Sequence, residues 1–197
     1  MADSSESPGA APAKKGSPAG KFLVLLLLLA AAGAVIYFFF PELLEKYGIP
    51  ARQELVRVSS AQMRCSIALP GDWTTEVRSV GTPAIVGEGS GGRRVTMTTI
   101  RVRSGEDLAA FARRFRAEET GRREGYGEHA TGPSDLGGVD AVRTVFSFDG
   151  EEGRRRAAQV VAVRSEYAYI LTCESPDAGF AEEEGLFGRI AAGVRFE

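Results

Sequence analysis

The chain has 197 residues, and its 24 Lys and Arg against 26 Asp and Glu give a formal net charge of −2 at pH 7. This balance excludes a general nucleic-acid binder, which would need a basic excess. The length is sufficient for one globular domain with its own core, beside shorter N-terminal segments.

Two N-terminal segments have distinct compositions. Residues 1–21 are rich in Ser, Pro, Gly and Ala and contain no aromatic residue, so we expect a disordered tail. Residues 22–40 are 19 consecutive residues without a charge. As a helix with a rise of ~1.5 Å per residue, this segment would cross the ~30 Å hydrocarbon core of a bilayer. We therefore predict a single transmembrane helix.

A cleaved signal peptide is the alternative interpretation of residues 22–40. The apolar run at residues 23–29 would form the core of the signal, and the alanines at residues 30–32 offer a cleavage site. We favour a retained anchor, because the preceding segment is long for a signal peptide and cleavage would expose the apolar residues that follow.

The charges on either side of the apolar segment predict its orientation. The tail carries Lys14, Lys15 and Lys21, whereas Glu42, Glu45 and Lys46 follow the segment. Lys and Arg close to a transmembrane helix favour the cytoplasmic side. We expect a cytoplasmic tail and a C-terminal part on the other side of the cell membrane, in the periplasm or another extracytoplasmic space.

Residues 41–58 are predicted to form a juxtamembrane helix and a linker. Pro41 suits the start of a helix, and Gly48 and Pro50 should end that helix. The globular domain is then expected to occupy residues 59–197.

Alternating and apolar runs predict the strands of this domain. In residues 63–69 every second side chain is apolar, as in a half-buried strand. Short turns join the last three long runs, which should therefore be antiparallel neighbours. The further predicted strands are residues 84–87, 94–102, 139–148, 156–164 and 167–174.

Two helices are predicted among these strands. The first opens at Ser104, with Asp107 in a capping-box position, and it carries an apolar stripe on one face up to Phe115. The second covers residues 178–192. Runs of strands beside separate helices indicate an α+β fold, in which an antiparallel sheet is flanked by helices.

The order of several motifs resembles that of PsbP/Mog1-like domains, including the DcrB-type bacterial members. Residues 69–73, Leu-Pro-Gly-Asp-Trp, resemble the opening motif of these domains, and the first helix, residues 136–141 and the last strand and helix follow in the same order. The Gly-rich residues 87–92 and the Arg-rich residues 113–123 depart from the family pattern. The resemblance covers residues 60–197 and implies a sheet flanked by helices that binds proteins rather than catalysing a reaction. It carries over no functional residues.

Cys65 and Cys173 both lie in predicted strands. A disulfide between them is permitted outside the cytoplasm. We favour the alternative, in which both are buried free thiols that behave as small apolar residues.

The sequence contains few candidates for catalysis or metal binding. His129 is the only histidine, and we place it on an exposed strand edge without a partner at catalytic or metal-ligand spacing. Residues 87–92 lack the Lys-Ser/Thr ending of a phosphate-binding loop and do not open a helix, so we predict a hairpin turn. Trp73 is expected to fill the core. We therefore expect neither an enzyme nor a bound cofactor or metal.

Five arginines within 11 residues form the candidate partner-binding site. They would dock an acidic partner or anionic lipid head groups, or they form a solvated helix face that nearby glutamates partly neutralise. These residues are Arg113, Arg114, Arg116, Arg122 and Arg123.

These features predict a single-pass, membrane-anchored periplasmic interaction module, acting as a non-catalytic accessory subunit of a membrane protein complex. Its partners would be integral membrane proteins and membrane lipids, and tethering would allow weak contacts to suffice. The alternative is an envelope protein that binds a ligand or lipid in a cleft between sheet and helix. A deep apolar pocket would favour this alternative, whereas a filled core with a flat surface would favour protein docking.

Overall fold

A computed structural model describes residues 54–197. The predicted tail, the transmembrane helix and most of the predicted linker lie outside the described residues. Within residues 54–197, no helix has the length and apolar character needed to cross a bilayer.

Ten strands and two α-helices form the described domain, and every strand pair is antiparallel. A small sheet has the order β1-β2-β10, and a large sheet has the order β3-β4-β5-β9-β8-β7-β6. The elements are β1 Leu55–Ser60, β2 Cys65–Pro70, β3 Thr74–Arg78, β4 Ala84–Gly89, β5 Arg93–Arg101, α1 Leu108–Glu118, β6 Gly127–Leu136, β7 Val139–Gly150, β8 Gly153–Arg164, β9 Tyr167–Pro176, α2 Phe180–Ala192 and β10 Arg195–Phe196.

Three hydrophobic clusters pack on the large sheet, the smallest of them around Phe146 and Phe148. On one face, the small sheet and α2 pack against β4 to β9 and bury residues such as Ile67, Leu171 and Ile190. On the other face, α1 inserts Phe111 against Val161 and the neighbouring residues of β8 and β9. The order of layers is therefore small sheet with α2, large sheet, α1, and the predicted α+β fold with an antiparallel sheet flanked by helices is confirmed for this domain.

The domain begins earlier than predicted. Residues 55–58, which were assigned to the linker, belong to β1 and pair with β2. Leu55 and Val58 pack against the main core, so burial of these side chains extends the domain beyond the predicted boundary at residue 59.

Besides β1, the strands β3 and β6 were missed, and one helix start was misplaced. β3 is fully exposed along its length, and β6 contains Gly132 and Pro133, so neither strand shows the apolar alternation on which the prediction relied. The first helix begins at Leu108, because Asp107 rather than Ser104 caps it: Ala110 N donates to Asp107 Oδ1 at 2.8 Å.

Candidate functional site

A cleft lies between α2 and the large sheet, on the face that also packs against the small sheet. Its volume is about 530 Å³, a size typical of small-molecule sites. The floor is apolar and comes from β8 and β9, where Ala158 pairs with Cys173 and Val160 with Leu171. These four side chains are at most 4% exposed, so the floor lies deep beneath the helix.

Small residues of α2 border the cleft. Gly188 and Ala191 line the cleft beside Phe187. A Cβ atom at Gly188 would meet no atom within 4 Å. Ala158, in the floor of the cleft, also has a small side chain. Larger side chains at these positions would reduce the volume of the cleft.

An ion pair lies at the mouth of the cleft. Arg143 on β7 donates from Nη2 to Glu184 Oε1 on α2 at 2.7 Å, and Ser134 and Asp135 of β6 complete the polar rim. The Arg143 and Glu184 side chains are 36% and 48% exposed, and a pair this exposed contributes about 0–1 kcal/mol. Breaking the ion pair between Arg143 and Glu184 would therefore cost little free energy.

Both cysteines are buried free thiols. Cys173 lies in the cleft floor, and Cys65 lies on β2 within the same core. Burial raises the pKa of both thiols, and the negative charge of Glu197 adds to the effect at Cys65, whose pKa is about 11. Both thiols are therefore protonated at neutral pH and poor nucleophiles. The structure does not contain the Cys65–Cys173 disulfide that the sequence left open.

The five candidate arginines do not form one surface. Arg114 binds Glu106 through Nε at 2.7 Å and Nη2 at 2.9 Å, and it also binds Glu118 at 3.1 Å. Hydrogen bonds from Arg114 are the main cause of the lowered pKa of Glu106, about 2. Arg116 reaches across to Thr131 of β6 at 3.0 Å. Arg114 therefore joins α1 to the segment just before it, and Arg116 joins α1 to β6.

Arg123 is also engaged within the domain. Its guanidinium lies 4.4 Å from the ring centroid of Phe148, and Nη1 lies 3.4 Å from Glu174 Oε2. Only Arg113 and Arg122 of the five are exposed without an ion pair among the described residues. Two of the five arginines, Arg113 and Arg122, therefore remain candidates for binding a partner.

His129 lies on the exposed edge strand β6, as predicted, at a bulge in the pairing with β7. Its Nε2 is 3.1 Å from the hydroxyl of Ser147, which also accepts from Arg154 Nη2 at 2.6 Å. Ser147 is only 2% exposed, so a substrate has no access to this hydroxyl, and the contacts hold the bulge in place. Among residues 54–197, no three His, Cys, Asp or Glu side chains are grouped so that they could hold a metal ion.

The predicted hairpin turn is present between β4 and β5 but is shorter than expected: residues 87–89 belong to β4, and Ser90–Gly92 form the turn. The glycines have a packing role, since a Cβ atom at Gly89 would lie 2.5 Å from ring atoms of Trp73. Gly87 is in a similar position against Leu69 and the same ring. Trp73 is 5% exposed within the main core, which confirms its predicted place.

Sequence reasoning missed the residues of the cleft. One signal was present: along β7 the positions that face α2 are Ala141, Arg143 and Val145, a charged residue between two apolar ones. A charge at such a position marks the border of a core or an opening in it. Glu184 could not be recognised as the partner of Arg143, because 41 positions separate the two residues.

Neither a family model nor a curated protein matches the chain. Solved structures do. Cyanobacterial PsbP from Synechocystis superposes with a TM-score of 0.57 at 12% identity, over 74% of this chain and 94% of that chain. LpqN of Mycobacterium tuberculosis gives 0.54 at 15% identity, over 72% and 89% of the two chains. The Ran-binding protein Mog1p of Saccharomyces cerevisiae gives 0.51 at 8% identity, over 74% and 96%.

At these identities the likeness concerns the fold alone. The three superpositions cover 89–96% of the other chains, so the likeness concerns nearly the whole fold of each. Residues 54–197 have a PsbP/Mog1-like fold.

Proposed function

We propose that this chain is a non-catalytic binding module of the bacterial cell envelope, tethered by residues 22–40, whose domain holds a small amphiphile in the cleft between α2 and the large sheet. The cleft itself is the observation that carries the proposal, because it combines an apolar floor with a charged pair of residues at its mouth. Sites of this kind bind the apolar part of a ligand by burial and orient it with a few polar groups.

The chemistry of the cleft selects the ligand class. An apolar chain would lie in the cleft between α2 and the strands that carry Val160 and Leu171, where removal of its own surface from water would favour binding. The guanidinium of Arg143 suits a carboxylate or phosphate head group, which would take the place of Glu184 in the ion pair. LpqN, which shares the fold, is involved in cell envelope biogenesis, and this makes envelope-type lipids the natural probes.

Filling the cleft tests this proposal. In cells that produce the full chain and are supplied with a photoreactive fatty acid, the wild-type protein should be labelled at the cleft. Gly188→Leu should reduce labelling at least about tenfold, the factor that corresponds to a loss of about 1.4 kcal/mol of binding free energy. Gly188 lies exposed at the edge of the cleft and has free space around its Cβ position, so a leucine adds bulk beside the cleft without a clash in the helix.

Gly185→Leu is the matched control. Gly185 lies on the same helix, also has no atom within 4 Å of its Cβ position, and does not line the cleft. Both variants replace a helical glycine, which should raise helix stability to the same extent. Equal labelling of the two variants, or no labelling of the wild-type cleft, would contradict a ligand site here.

Protein docking is the second candidate, favoured by the two exposed arginines that have no ion pair among the described residues. Arg113→Glu combined with Arg122→Glu should lower the recovery of membrane proteins with the tagged chain several-fold, because both charges would repel an acidic partner surface. Affinity purification in mild detergent followed by mass spectrometry measures this recovery. Arg189→Glu, exposed on α2 at the other side of the sheet, should leave recovery unchanged, and an equal loss with this variant would argue against docking through the two arginines.

A further inference from the structure

β3 is an open edge of the large sheet. It pairs with β4 on one side only, so half of its backbone N–H and C=O groups have no partner strand among residues 54–197. All five of its residues are exposed. An edge of this kind can add another strand through backbone hydrogen bonds.

The opposite edge of the same sheet is protected, and β3 is not. β6 has a bulge between Glu128 and Ala130 and contains Pro133, which has no N–H to donate. β3 pairs with β4 in unbroken register and contains no proline. Its only charges, Glu76 and Arg78, have opposite signs and bind each other at 2.7 Å.

We propose that β3 pairs with β3 of a second copy of this chain, antiparallel and centred on Val77, about a two-fold axis normal to the sheet. In this register Val77 lies opposite the partner's Val77. Glu76 lies opposite the partner's Arg78, and the symmetry repeats this pair on the other side of the axis. Opposite charges directly across an antiparallel pair stabilise it, so the sequence of β3 is complementary to itself.

The neighbouring symmetric registers lack this complementarity. Centring the pair on Glu76 places two carboxylates opposite each other, and centring it on Arg78 opposes two guanidinium groups. Like charges at opposed positions destabilise a strand pair. The two strands also cannot be shifted by a single residue. The two-fold axis keeps each residue on the same face of the sheet in both copies, whereas such a shift would place residues of different faces opposite each other.

The pairing also covers exposed apolar surface. Val77 is 43% exposed and Val80, two residues after the strand, is 94% exposed. In the proposed register Val77 packs on its own equivalent, and Val80 lies beside the partner's Thr74. The interface is short, so we expect a dimer whose formation depends on protein concentration.

Cysteine cross-linking of the full chain in mild detergent tests the register. Opposed residues of antiparallel strands have Cα atoms ~4.5–5.5 Å apart, within the range of a disulfide, so Val77→Cys should form a covalent dimer under mild oxidation. Thr75→Cys is the matched control on the same strand and face. In the proposed register it lies opposite the partner's Ser79 and ~14 Å from its own equivalent, so we expect at least about tenfold less dimer.

A charge exchange provides the second test. In the Val77→Cys background, Glu76→Arg or Arg78→Glu alone should reduce the covalent dimer several-fold, and the two changes together should restore it. All of these residues are exposed, and far-UV circular dichroism should show that each variant is folded. Absence of a Val77→Cys dimer, equal cross-linking through Thr75→Cys, cross-linking to a protein of another mass, or a double variant that stays monomeric would each overturn the proposal.

Discussion

Replacing Trp73 with alanine is expected to lower the free energy of unfolding by about 3–5 kcal/mol, the range for removal of a buried large aromatic side chain. The ring is 5% exposed and lies in the main core against β4, with the guanidinium of Arg93 5.6 Å from the ring centroid. The indole N–H has no hydrogen-bond partner among the described residues, so packing supplies this contribution. Because Trp73 is the only tryptophan of the chain, denaturation is measured by far-UV circular dichroism.

A pair of glycine substitutions shows whether the ring is seated as described. Gly89→Ala places a methyl group 2.5 Å from the ring and should cost about 1–3 kcal/mol, as overpacking of a core does. Gly132→Ala on β6 meets no atom within 4 Å and should change stability by no more than about 0.5–1 kcal/mol. If the two variants unfold at the same denaturant concentration, Trp73 does not pack on Gly89.

Elements with a buried face could be predicted from the sequence. The strands β7, β8 and β9 carry runs of apolar residues, which are buried on both faces of the sheet in β8 and β9, and α2 repeats apolar residues at the helical period because one side of it is buried. Short turns determined the antiparallel pairing of the three strands. Trp73 could be placed in the core because it directly follows a strand that alternates apolar residues.

Elements without such a face, and contacts between distant residues, could not be predicted. β3 has no buried residue, and β6 is almost entirely accessible, so hydrogen bonding to a neighbouring strand defines them and leaves no local pattern. The arginines show the same limit. Their number was visible in the sequence, whereas the contact between Arg123 and Glu174 depends on a separation of 51 residues.

Replacing Phe111 with alanine is expected to cost about 3–5 kcal/mol and to release α1 from the sheet. Phe111 is fully buried, stacks on Phe115 at 5.7 Å and holds the guanidinium of Arg114 5.0 Å from its ring centroid. The core beneath α1 is small and lies on the opposite face of the sheet from Trp73, so the helix has few other contacts to retain it.

The two faces of the sheet allow local release of α1 to be separated from global unfolding. In the Phe111→Ala variant, amide hydrogen exchange of residues 108–118 should become much faster, while the fluorescence of Trp73 in the other core stays native-like. Phe115→Ala is the milder comparison, since Phe115 is only partly buried, and its effect should be smaller. Unchanged protection of α1 in Phe111→Ala would show that the contacts of Arg116 with β6, rather than apolar burial, hold the helix on the sheet.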